Sequence, residues 1–113
     1  MDIKERVVGG VSILDLSGKV VRGEGDLQVK ERIKDLLADG QRKILLNLAE
    51  VTYIDSAGLG SLISSYTTAR REGGSLKLVN LTKRIQDLLA ITKLITVFET
   101  FEGEADALAS FTA

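Results

Sequence analysis

Ile3–Val8 and Val11–Leu16 are two short β-type runs separated by Gly9-Gly10. Adjacent glycines reach the positive φ angles of a tight turn, so the spacing predicts an antiparallel hairpin. Gly18 is expected to close the second strand, and Gly23-Glu24-Gly25 to form a loop. A helix then runs to about Ala38 with Asp26 as its cap; Val29, Ile33, Leu36 and Leu37 share one face, and Asp39-Gly40 ends it. Lys43–Leu48 is nearly continuous in apolar residues and bounded by charge, the pattern of a central strand buried on both faces. Ala49–Ile54 links it to a second helix, expected over Ser56–Glu72 and stopped by Gly73-Gly74. In that helix Leu59, Leu62, Ile63, Tyr66 and Ala69 recur at three- and four-residue spacing. Ser75–Asn80 reads as a strand, Thr82 as the cap of a helix carrying Ile85, Leu88 and Leu89, Ile95–Phe98 as a last strand, and Gly103–Phe111 as a terminal helix.

The order β-β-α-β-α-β-α-β-α predicts an α/β fold, a mainly parallel mixed sheet with an N-terminal antiparallel hairpin and about four helices. At 113 residues the chain is expected to form one domain, 1–113. It is 44% hydrophobic and 27% charged, with a net charge of -1. That balance argues against direct nucleic-acid binding, and no segment has membrane-spanning or leader character, so a cytoplasmic protein without membrane insertion is expected. The chain has no cysteine and no histidine. Disulfides, thiol nucleophiles, His-dependent triads and Cys/His metal sites are therefore excluded.

The polar pair Asp55-Ser56 lies where the apolar run gives way to the helical pattern, placing Ser56 at a helix N-terminus on the rim of the molecule. Free backbone N–H groups and the positive end of the helix dipole suit a group that becomes negative there, phosphate above all. Two readings of Ser56 stand at this level. It is a helix cap, or Asp55 does the capping and leaves the hydroxyl free beside Ala57, Gly58 and Gly60. Each glycine costs a helix about 0.5–1 kcal/mol relative to alanine, so each calls for tight packing or close approach of a partner. Ser61, Ser64, Ser65 and Thr68 lie mostly opposite the apolar stripe and form a small, uncharged surface, expected to be a docking face.

Enzyme patterns fail. Ile54-Asp55-Ser56-Ala57-Gly58 lacks the first glycine of a nucleophile elbow, and Gly58-Leu59-Gly60 meets Ile63 where a dinucleotide fingerprint needs glycine. Glu102, Glu104 and Asp106 read as the acidic start of the last helix rather than a metal site. No catalytic residue, metal site or cofactor is assigned.

Val51-Thr52-Tyr53-Ile54-Asp55-Ser56-Ala57-Gly58-Leu59-Gly60 resembles the signature of the STAS domain, in particular the freestanding bacterial anti-sigma factor antagonists. Ile44–Leu48 before it and Gly73–Leu78 after it fit the same pattern, as do Ile85, Leu88, Leu89, Leu94 and Val97-Phe98. The resemblance implies partner switching. An anti-sigma factor, itself a serine kinase using ATP and Mg²⁺, is bound by the unphosphorylated antagonist and released when the serine matching Ser56 is phosphorylated; a serine phosphatase resets the cycle. It also implies that Asp55 orients Ser56 or caps its helix. With the small-residue face, it makes Asp55, Ala57, Gly58, Gly60, Ser61, Ser64 and Ser65 the partner-binding set. The chain departs from the family where Gly18-Lys19-Val20-Val21 carries Val21 in place of a common aspartate. The alternative is a STAS scaffold subunit of a lipid transporter or stress-signalling complex, with no turnover at Ser56. Short edge strands leave room for a homodimer.

Overall fold

In the computed structural model, which describes residues 1–112, Gly9 and Gly10 take φ +56° and +80° and fold β1 (Asp2–Val8) back on β2 (Val11–Val20). The pair is antiparallel, with Val8 opposite Val11. The chain continues through α1 (Gly25–Ala38), β3 (Lys43–Ile54), α2 (Ser56–Arg71), β4 (Ser75–Val79) and α3 (Lys83–Ile91). A 3₁₀ turn at Leu94–Thr96, β5 (Thr100–Phe101) and α4 (Glu104–Ser110) complete it. The sheet order is β1-β2-β3-β4-β5, with every pairing after the first parallel.

Period-two alternation splits the core between two faces of this sheet. Leu14, Leu16, Ile44, Leu46, Leu48, Leu76 and Leu78 face α1, α2 and α3, where Val29, Ile33, Leu62, Ile85 and Leu89 cover them. Val11, Ile13, Leu45 and Val79 face the other way, onto Ala107 of α4 and Phe111 just after it. Fully burying one such aliphatic side chain contributes about 1.5–3 kcal/mol, so these alternating positions fix the register.

Four boundaries differ from the sequence reading. Gly18 does not close β2: at φ +100° it absorbs a shift in pairing with β3, and the strand runs on to Val20. β3 takes in the supposed link and reaches Ile54, because Val51 and Ile54 turn into the core. Asp26 does not cap α1, which begins one residue earlier. Its carboxylate sits in the first turn and accepts from the N–H groups of Gly23 (2.9 Å) and Leu27 (2.8 Å). Ile95–Phe98 is not a strand. Leu94 and Phe98 point together into the main core at one-turn spacing, while Ile95 and Val97 remain exposed, and pairing with β4 begins only at Thr100.

Candidate functional site

β2 and β3 both end at the rim where α1 and α2 begin, and Asp55 ties these ends together. With extended backbone angles (φ −95°, ψ −175°), it places Oδ1 2.8 Å from the N–H of Gly58, capping α2. Its Oδ2 accepts from the N–H of Arg22, 3.0 Å away in the loop after β2, and its own N–H donates to the Val20 carbonyl. The Arg22 amide and then the Gly58 amide, aided by the Arg22 charge, hold the Asp55 carboxyl below its ordinary range.

Gly58 makes this joint possible. A Cβ there would lie 1.8 Å from the Val20 carbonyl oxygen, so only glycine lets the first turn of α2 rest on the end of β2. Gly60 is different: it is exposed, and a Cβ added to it would meet nothing within 4 Å. Of the two purposes open to these glycines, Gly58 serves internal packing and Gly60 does not.

Since Asp55 supplies the cap, Ser56 is spared that duty. It is the first residue of α2, exposed, and its hydroxyl has no hydrogen-bond partner among the described residues. Ala57 and Ser64 are partly accessible beside Gly60. The remainder of the expected docking set requires correction. Ser61 and Ser65 are each 3% exposed, and Gly58 is buried. The Ser61 hydroxyl donates to the Gly58 carbonyl at 2.7 Å, and the buried Ser65 hydroxyl has no partner among the described residues. α2 packs on α1 as well as on the sheet, so a second stripe of the helix is covered, and its small residues permit the close approach.

The structure also brings in residues the sequence reading passed over. Arg22 reaches the site through its backbone amide, which no side-chain pattern announces. Tyr53 is 45% exposed one residue before Ile54, and the Arg84 guanidinium stands over its ring at 5.7 Å. Ile91, 80% exposed, lines the same open groove with Leu88. Ile91 falls outside the apolar set Ile85, Leu88 and Leu89, and that was its one signal in the sequence.

The STAS domain profile matches residues 2–107. The chain belongs to the STAS domain family. It is 32% identical over 110 residues to the anti-sigma-B factor antagonist of Listeria monocytogenes, covering 92% of this chain and 91% of that one. Its backbone superposes on an anti-sigma factor antagonist protein of Thermotoga maritima with a TM-score of 0.90, at 24% identity and over 98% and 95% of the two chains. It also matches the phosphorylated form of the Bacillus cell fate determinant SpoIIAA, with a TM-score of 0.75, 16% identity and coverage of 97% and 99%. The two structural likenesses establish the shared STAS fold. Among the described residues no helix is long and apolar enough to cross a membrane, and no group of three or more carboxylates is placed to hold a metal ion.

Proposed function

We propose that this STAS domain is an anti-sigma factor antagonist that acts by partner switching, with Ser56 as the phosphorylated residue. The observation that carries this reading is the division of labour at the corner: Asp55 caps α2, and the Ser56 hydroxyl is left exposed without a partner. The names of its relatives support it, and SpoIIAA has been solved in both phosphorylated and unphosphorylated forms. In its unmodified form the protein binds an anti-sigma factor kinase in the cytoplasm through Ser56, Ala57, Gly60 and Ser64. Bound there, it keeps the kinase from its sigma factor. The kinase transfers the γ-phosphoryl group of ATP to Ser56 Oγ, releasing ADP and the hydroxyl proton. A phosphatase returns the hydroxyl by adding water and releasing inorganic phosphate.

Phosphorylation adds about −1.5 to −2 charges at pH 7. Within this domain the new charge sits at the positive end of α2, a location that stabilises anions. At a closely fitted interface the same charge must be desolvated or repelled, so it breaks the complex without refolding the domain. Intact mass of protein recovered from its own cells, with the modified residue mapped, is the first test. A fraction one phosphate heavier at Ser56 supports the reading. Unmodified protein across growth and stress conditions refutes switching and favours a constitutive scaffold. Ser56→Ala is expected to bind the kinase constitutively and Ser56→Asp to bind it poorly. Both should fold: Ser56 is exposed and Asp55 supplies the cap, so alanine removes no bond of the domain, and an acidic residue in the first turn adds about 0.3–1 kcal/mol to helix stability.

A further inference from the structure

α1 separates its charges by side. Glu31 and Asp35 lie on the side toward β1, next to Asp2 and Ile3. Lys30 and Lys34 lie on the side toward α2. Four residues apart, the two lysines are neighbours on one helix face, and like charges at that spacing destabilise a helix.

Both lysines border a groove of about 390 Å³ between α1 and α2. The opposite wall is Ser64, Ser65, Thr68 and, in the last turn of α2, Arg71. Ion pairs engage Arg6, Arg32, Lys77 and Lys83, whereas Lys30, Lys34 and Arg71 make none among the described residues. The groove hydroxyls are equally unengaged. Elsewhere Ser61, Thr92, Ser110 and Thr112 donate to carbonyls three or four residues back. Ser64, Ser65 and Thr68 make no such bond among the described residues, although Ser65 is 3% exposed and its hydroxyl is buried. Glu72 brings one carboxylate to the lining, against the three cations. The carbonyl end of α2 also opposes an anion, and Arg71 offsets it there.

Two costs of the free domain thus meet in one groove: the juxtaposed lysines and a buried hydroxyl without an acceptor. An anion relieves both, since it neutralises the lysines and accepts from hydroxyls, which donate wherever an acceptor is offered. The cations stand on both walls, so a ligand with two anionic centres matches them better than one with a single centre. We propose that the α1–α2 groove binds a small polyanion of the diphosphate class. Its oxygens accept from Lys30 and Lys34 on one wall and from Ser64, Ser65, Thr68 and Arg71 on the other. The groove adjoins the proposed partner face at Ser64 and does not depend on the switching reading.

The test is a titration of the full chain with inorganic diphosphate at constant ionic strength, followed by ¹⁵N amide shifts, with inorganic phosphate as the comparison. Saturable shifts are expected at Lys30, Lys34, Ser64, Ser65, Thr68 and Arg71, and phosphate should bind about tenfold more weakly than diphosphate. Lys34→Gln should weaken diphosphate binding about tenfold, and Ser65→Ala by a similar factor while raising the stability of the free domain. Both variants should fold, because Lys34 is exposed and alanine at 65 removes only an unpartnered hydroxyl. Lys43→Gln, which removes the same charge at the start of β3, should leave affinity unchanged. Shifts without saturation, shifts spread evenly over other surface lysines and arginines, phosphate binding as tight as diphosphate, or wild-type affinity in Lys34→Gln or Ser65→Ala would each overturn the proposal.

Discussion

Gly58 and Gly60 occupy the same helix two residues apart, and the structure predicts opposite responses to the same change. At Gly58 an added methyl group would meet the Val20 carbonyl oxygen at 1.8 Å. Ordinary contact requires the start of α2 to move by more than about an ångström, and a backbone oxygen cannot rotate aside as a side chain can. Movement also draws the Gly58 amide away from Asp55, whose carboxylate then loses one of its two bonds at the rim. Overpacking of this kind costs about 1–3 kcal/mol, and the rigid partner puts Gly58→Ala near the upper figure. A domain of this size has only about 5–15 kcal/mol to lose. The melting temperature should therefore fall by more than about 10 °C.

At Gly60 nothing lies within 4 Å of the added methyl, so Gly60→Ala gains the helix propensity of alanine, about 0.5–1 kcal/mol. Urea unfolding of both variants gives the comparison directly, provided the slope with denaturant is unchanged. A Gly58→Ala protein within about 1 kcal/mol of wild type would refute the contact between α2 and β2 as the cause of that glycine. A destabilised Gly60→Ala would refute the open face. Nothing within the domain calls for glycine at position 60, so under the switching reading Gly60→Ala is expected to weaken binding of the proposed kinase while stabilising the free domain.

Three further outcomes are expected. Ser65→Ala should raise stability by about 1 kcal/mol in urea unfolding, because it removes a buried hydroxyl that has no partner and leaves almost no cavity. Arg6→Ala should lower it by about 1–2 kcal/mol, since Asp15 and Glu104 lose a shared partner that is only partly exposed. Stability should also fall on acidification. The Arg6 hydrogen bonds, helped by Asn47, depress the Asp15 pKa, and the amides of Arg22 and Gly58 depress that of Asp55. Both contributions are complete above the unfolded carboxylate value of about 3.9 and are lost as pH drops through the lower folded values. Melting curves from pH 6 to pH 2 should show that loss in wild type, and Arg6→Ala should show less of it (about pH 4 downward).

What the sequence disclosed was what short-range chemistry decides. The hairpin at Gly9-Gly10, the cap at Thr82 and the start of α2 each depend on residues within a turn of one another, and each stands where the pattern put it. The docking face failed in part because Ser61 and Ser65 are buried, and at Ser65 the neighbouring element is α1, some thirty residues away and joined to α2 only in three dimensions. The error at Ile95–Phe98 has another origin. Four residues with three apolar positions suit a strand, yet Leu94 just before them pairs with Phe98 at helical spacing, and the core took that pair. Arg6 and Glu104 are 98 residues apart, so neither announces the other in the sequence.

Asp55 and Ser56 show why a polar pair at a helix start admits two readings until the backbone is seen. Either side chain can cap; both cannot occupy the same amide. Asp55 prevails because its second oxygen finds the Arg22 amide, a bond that a serine in its place could not make while also capping. That second bond belongs to the loop after β2, where Val21 replaces the aspartate common in the family. Main-chain N–H groups hold the corner, so the side chain at position 21 is free to vary without disturbing Asp55. Under the switching reading, such variation alters which partner fits while leaving the exposure of Ser56 intact. The fold of this corner therefore rests on Asp55, Gly58 and Val20, and under the switching reading partner choice rests on the residues around them.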